Sequence, residues 1–237
     1  MKRQPHLTRA FTLMEILVVV LVLILLMCVL LPRLVQSKRS SQLTGCMANL
    51  KQVMLAELLW INDNEKRRLS WQYSTNEKGT LEYLERGGIS PHLKAVTNEI
   101  MSPRILTCPS DNRAVAKDFS ALADSNLSYF MNMDAWIGGR SGGIAPREKL
   151  VQVIIFGDRN VTNSTGPKSG IITLTEMNYK SLNWDSRLHN PTRKPSQTLI
   201  GNIAYGDGSA ATAKATNLHE ALEYELFLDS TNRLAVP

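Results

Sequence analysis

Sixteen consecutive apolar residues, Ile16 to Leu31, constrain this chain more than anything else in it. Counted back through Glu15, Met14, Leu13 and Thr12 to Phe11, the segment is twenty-one residues long. As a helix it measures about 32 Å, against roughly 30 Å for the hydrocarbon of a bilayer. A helix buried in a soluble core rarely runs so far without a polar face, so the pattern predicts a membrane span. A cleaved secretory signal is the rival reading, because Lys2, Arg3 and Arg9 precede the run as a basic n-region would. Two features oppose it. The run exceeds the roughly 7–15 residues of an ordinary h-region, and Pro32-Arg33-Leu34 stands where a small-x-small cleavage site is needed. Cys28 does not make a lipoprotein signal, since the residue before it, Met27, is bulky.

Glu15 is out of place in such a segment. A carboxylate at the bilayer centre costs on the order of a few kcal/mol, less near an end, and usually has a partner. The neighbouring sequence is expected to supply none. Lys2, Arg3 and Arg9 before the run are matched by Arg33, Lys38 and Arg39 after it, so charge bias alone does not orient the span.

Arg9-Ala10-Phe11-Thr12-Leu13-Met14-Glu15 followed by the apolar run resembles the class III signal of type IV pilins and type II secretion pseudopilins. The resemblance implies a leader, residues 1–10, cut by a prepilin peptidase on the cytoplasmic face between Ala10 and Phe11. Phe11 would then be methylated, and Glu15 would be the fifth residue of the mature chain, meeting the N-terminal amine of a neighbouring subunit. Amine and carboxylate attract strongly in low dielectric. Pro32 falls at mature position 22, where many pilins carry a helix-kinking proline. Ala10 departs from the glycine usual before the cut. The implied placement is a single-pass inner-membrane protein, cytoplasmic at the N-terminus and periplasmic beyond the span. Its implied partners are other pseudopilins, the peptidase, the assembly platform and lipid.

Beyond the span, Leu43, Met47, Leu50, Met54, Leu58 and Ile61 recur at spacings of three and four, one apolar face of a helix, with Lys51, Gln52 and Glu57 between them. A single helix from about Phe11 to Asn62 follows, with residues 11–31 in lipid, 32–62 amphipathic, and Asn62-Asp63-Asn64 as its stop. The remaining stretch, 63–237, predicts a globular domain. Val151 to Phe156, Ile171 to Leu174 and Leu199 to Tyr205 read as strands, and Asp207-Gly208 as a type I′ hairpin turn joining the last of these to Ser209 to Thr212. Asn217 is expected to cap a helix ending near Leu228. The fold class is α+β: one long helix on a small antiparallel sheet with irregular loops.

Cys46-Met47-Ala48-Asn49-Leu50-Lys51-Gln52, Leu106 to Asp111, Ser128 to Asn132, Glu148 to Asp158 and Asp207-Gly208 are similar, in that order, to a pseudopilin-like group found mainly in planctomycetes, verrucomicrobia and lentisphaerae. That group is often named for a His, nine residues and then Asp-Gly. Here seventeen residues lie between His189 and Asp207, so either an insertion such as Pro191 to Ser196 intervenes or the histidine is unrelated. The resemblance carries a fold and no reaction.

Chemistry is sparsely signalled. Cys46 and Cys108 lie outside the membrane in this reading, where disulfides are permitted; a bridge and two small buried thiols both fit. His92, His189 and His219 with Asp207 and Ser209 could be drawn as a hydrolase triad, but Ser209 does not sit in a G-x-S-x-G elbow. No H-E-x-x-H or Cys-x-x-Cys occurs, so no metal site is expected. Likeness to the major pseudopilin of type II secretion brings calcium into view, with Asp185, Asp207 and Asp229 as hard ligands; they are scattered, and solvated loop acids describe them as well. Trp184 to His189 reads as a sugar-facing or partner-facing loop or as an aromatic cover on the sheet. Cutting the leader would lower the net charge from +6 to +3, leaving 24 basic against 21 acidic residues, and no Lys/Arg stripe interleaved with aromatics points to nucleic acid. The expectation is a structural subunit without cofactor. The alternatives are a signal-anchored binding domain and a tethered periplasmic hydrolase.

Overall fold

The computed structural model describes residues 12–135, 153–163, 169–186, 188–189, 199–228 and 231–237; of 32–36, 224 and 226–228 it describes the backbone alone. Two compact units result, Met1–Ser41 and Gln42–Pro237.

The first unit carries the start of helix α1 (Leu13–Asp63). Thr12 and Glu15 close its N-terminus reciprocally. The Glu15 N–H donates to Thr12 Oγ1 and the Thr12 N–H donates to Glu15 Oε2, each at 3.3 Å. This is a capping box, two orphan amides satisfied by one pair of side chains. It corrects the expectation that Glu15 has no partner nearby, and its signal, T-x-x-E ahead of an apolar run, was present in the sequence. Leu13–Leu31 has a mean hydropathy of 3.3 and is nowhere buried. Apolar nearly all round, this segment is left uncovered by the described residues. Helix α1 runs on through Pro32 as one element.

In the second unit, α1 ends at Asp63 as the Asn-Asp-Asn stop predicts. Its buried face is Cys46, Leu50, Val53, Met54, Ala56, Glu57 and Trp60. That face is turned from the expected one. Leu50 and Met54 are shared, Leu58 and Ile61 sit at its margin, and Glu57, expected between the apolar positions, is fully buried.

Six strands form an antiparallel sheet: β1 (Tyr129–Asn132), β2 (Ile154–Asp158), β4 (Gly170–Thr175), β6 (Ile200–Tyr205), β7 (Ala210–Lys214) and β8 (Thr231–Val236), in the order β4-β8-β1-β2-β6-β7. A separate pair joins β3 (Val161–Asn163) to β5 (Leu182–Trp184). Strand alternation sends side chains to two cores. Tyr129, Met131, Phe156, Ala204 and Ala235 face α1, together with Leu69, Trp71, Ile89 and Val96 from residues 64–127. That stretch is built of short turns, α2 (Ser90–Ala95) and α3 (Thr97–Ile100). Phe130, Ile154, Ile203, Leu234 and Val236 face the other way, against Leu218 and Leu222 of α4 (Ala215–Leu228) and Trp184. Trp184 thus covers the sheet, its ring lying against Gly201.

Two local expectations are corrected. The hairpin β6–β7 turns through three residues, because the Tyr205 N–H bonds the Ser209 carbonyl and the Gly208 N–H the Tyr205 carbonyl. Only Gly208 has positive φ, +86°, so the turn is the type I plus left-handed glycine arrangement and not type I′. Asn217 is not the cap of α4; it lies inside the first turn and accepts from the Lys214 N–H.

Candidate functional site

A buried polar cluster of the second unit lies on the sheet face toward α1. Its position depends on an irregularity in β2. The register between β2 and β6 shifts between Ile154 and Phe156, and Ile155 and Phe156 both enter the α1 core while Ile154 faces away. One extra residue reverses the parity of everything after it. Asp158 therefore points toward α1, paired with Tyr129 in register.

Asp158 is completely buried and meets His189, whose Nε2 is 2.7 Å from Asp158 Oδ2; the His189 side chain is 2% exposed. Asn202 connects the cluster to its surroundings. Its N–H donates to Asp158 Oδ2 at 2.6 Å, its Nδ2 to the Leu43 carbonyl of α1 at 3.3 Å, and its Oδ1 accepts from Thr212 Oγ1 at 2.8 Å. Burial pushes the Asp158 carboxyl above its ordinary value, opposed by His189 and Asn202. Burial, reinforced by Asp158, raises the Tyr129 phenol as well.

Against this cluster sit Cys46 and Cys108, joined as a disulfide with Cα atoms 4.9 Å apart across 62 residues of sequence. The loop bearing Cys108 is fixed by Asp111, whose N–H bonds the Cys108 carbonyl at 2.8 Å. The Arg159 guanidinium grips the Asp111 carboxylate with two bonds of 2.6 Å, and Ser128 Oγ donates to it at 2.7 Å. Burial alone would raise the Asp111 carboxyl; Arg159 and Ser128 overcome it and hold the group below its ordinary value.

The other histidines lie in different settings. His92 is buried with Nδ1 2.6 Å from Thr80 Oγ1, and burial lowers it to about 4. His219 places Nε2 2.6 Å from the Leu182 carbonyl. Asp207 caps the Ser209 N–H in the hairpin turn, so the acid that faces His189 is Asp158, not the Asp207 of the drawn triad. Asp185 and Asp207 join no metal-capable group among the described residues; Asp229, Ala10 and Phe11 lie outside them. One such group does occur among the described residues: Cys46, Cys108 and His189, with one potential ligand atom from each within 4.8 Å of the others. Sequence reasoning missed Asp158 and Asn202. Gly157-Asp158 marks a strand end, and nothing in the residues announces the bulge that turns the acid inward.

Comparison with protein-family models, with curated proteins and with solved structures returns no match.

Proposed function

We propose that this chain is a membrane-anchored, pilin-like structural subunit, processed by a prepilin peptidase and assembled through α1 into a filament or short pseudopilus of a type II secretion or type IV pilus machine. The observation that carries the reading is the exposed apolar segment Leu13–Leu31, headed by Glu15 and belonging to the same helix whose later turns bury Cys46 to Trp60 in an α+β domain. An isolated span needs lipid around it; side-by-side copies cover one another and expel lipid instead. In the assembled form, Glu15 pairs with the amine at Phe11 of an adjacent copy and sets the axial register. The domain beyond Asp63 faces the periplasm and carries the contacts to cargo, envelope or neighbours.

One observation favours a second reading, an unassembled signal anchor displaying a binding domain. Glu15 already accepts a hydrogen bond from Thr12, so it is not without a partner in a lone chain. Mass spectrometry of the mature N-terminus separates the two. Processing predicts loss of ten residues and one methyl group on Phe11, dependent on the peptidase; an uncut Met1 terminus in peptidase-positive membranes refutes the assembly reading. Assembly itself is followed by bismaleimide cross-linking through the exposed Cys28, with Cys28→Ser as the blank. Glu15→Ala is expected to leave membrane insertion intact and to reduce cross-linked oligomers several-fold.

A further inference from the structure

We propose that Cys46, Cys108 and the His189 imidazole form a redox-gated site for one soft d10 cation of the Zn2+ class, bound when the disulfide is reduced and expelled when it forms. The inference stands apart from the anchoring reading, because every group involved belongs to the second unit.

The donor set comes first. Two thiolates and one imidazole are the ligands such ions prefer, and coordination at about 2.3 Å to sulfur and 2.0–2.1 Å to nitrogen needs ligand atoms roughly 3.5–4 Å apart. Here the two sulfurs and one ring nitrogen of His189 lie within 4.8 Å of one another, and a turn of the imidazole about its side-chain bonds decides which nitrogen is presented. Opening the bridge lets the sulfurs part to that spacing with Cα atoms only 4.9 Å apart.

The second observation is the state of His189. Nε2 lies 2.7 Å from Asp158 Oδ2 and 3.4 Å from Asn202 Nδ2; with its proton on Nε2, facing the carboxylate, the imidazole has its lone pair on Nδ1. Nδ1 is buried and has no hydrogen-bond partner among the described residues, an arrangement with a cost that a bound cation would remove. A carboxylate behind the second nitrogen is the usual support of a metal-binding histidine, fixing its tautomer and raising its basicity. On the sulfur side, the Ser110 N–H donates to Cys108 Sγ at 3.4 Å, a bond that favours thiolate. Three protein donors leave a fourth position for water. Because the ligands come from positions 46, 108 and 189, no local spacing motif could have announced them.

The chemistry balances with named reagents. A dithiol gives two electrons and two protons to the Cys46–Cys108 bond and becomes a disulfide itself; the Sγ–Sγ bond breaks and two thiols result. The cation then displaces both thiol protons to solvent. A disulfide oxidant reverses the sequence, taking two electrons from the thiolates, re-forming the bond and releasing the ion. Either state ties α1 to the loop at Cys108, covalently or through the ion.

The test uses the full chain in detergent, with Cys28→Ser to remove the unrelated thiol, and Co2+ as the probe. The phosphine-reduced protein should take up one Co2+ with thiolate charge-transfer and tetrahedral d–d absorption, displaced by Zn2+; the oxidised protein should show neither. Asp158→Asn should weaken binding roughly ten- to a hundredfold, and His189→Gln should both weaken it and shift the d–d bands. Absence of the bands in reduced, folded protein overturns the proposal, as does a His189→Gln spectrum and affinity equal to wild type. Should either variant misfold by circular dichroism, the imidazole 15N resonances of the reduced protein decide: a Zn2+-induced shift at His189 is expected, and none refutes the site.

Discussion

Glu57 is a buried acid with no cation beside it among the described residues, and its replacement by glutamine gives a stability change whose size depends on pH. Oε2 accepts the Ser70 N–H at 3.2 Å and Oε1 the Ser70 hydroxyl at 3.0 Å. Neither partner carries charge. Burial raises the carboxyl from 4.5 to about 7, the two Ser70 bonds opposing and the nearby Glu99 adding to the rise. A carboxyl with a raised folded-state pKa keeps its proton where the unfolded chain has released it. Stability is therefore undiminished below about pH 4.5, falls as pH rises to about 7, and is flat above. The shift corresponds to roughly 3 kcal/mol lost by the folded state at pH 8. Glu57→Gln keeps the volume and an acceptor for Ser70 and removes the ionisation. Urea unfolding followed by tryptophan fluorescence, with Trp71 in the same core, should find the variant gaining about 3 kcal/mol relative to wild type between pH 4.5 and pH 8. Glu225, also buried and raised to about 8, titrates in both proteins and cancels from the difference. A variant-minus-wild-type difference that is the same at both pH values, or that moves the other way, refutes the reasoning.

Removing the disulfide by Cys46→Ser with Cys108→Ser frees a loop spanning 62 residues and should cost about 4 kcal/mol by chain entropy, read as a lower urea midpoint in oxidised samples only. Gly201→Ala places a Cβ 2.4 Å from two atoms of the Trp184 ring, which is itself buried, so a loss of roughly 1–3 kcal/mol or more is expected. Gly45→Ala is the contrasting case. Its Cβ would meet nothing closer than Pro109 Cγ at 3.5 Å, and the exchange of a helical glycine should stabilise by up to about 1 kcal/mol.

The apolar run and the β-branched strands were legible because each carries its signal locally. Leu13–Leu31, β2, β4 and β6 fall where hydropathy puts them and β7 where the Asp207-Gly208 turn puts it, apart from their ends. The strands β1, β3, β5 and β8 did not show. β8 reads Thr-Asn-Arg-Leu-Ala-Val and becomes a strand because it slots between β4 and β1, a pairing no local window contains. The α1 register failed for a different reason. Counting leucines and methionines weights Leu58 and Ile61 and ignores Cys46, Ala56 and Glu57, yet the small residues permit close approach and the acid finds Ser70. Of the candidate site, the Cys46–Cys108 bridge was one of two readings the sequence left open, and the structure has it; the approach of His189 to it was not legible, because it depends on a bulge in β2 and on contacts between distant positions.

In the assembly proposed above, Glu15 would answer local and intermolecular demands with one carboxylate, and a single substitution separates them. The capping box with Thr12 contributes about 1 kcal/mol, and the positive end of the helix dipole roughly 0.3–1 kcal/mol more. A carboxylate carried into hydrocarbon costs on the order of a few kcal/mol. At the rim of a bilayer, where the group reaches water, the local partners suffice; packed among neighbouring helices away from water, they leave a deficit that a cationic chain end would offset. Glu15→Gln keeps the cap, since glutamine serves equally at that position, and removes the charge. In an assembling subunit the glutamine variant should therefore behave like Glu15→Ala, inserted in membranes but several-fold poorer in Cys28 cross-linked oligomers. Wild-type oligomer yield from Glu15→Gln alongside a defect in Glu15→Ala would assign the residue to helix capping alone and remove the amine from the account.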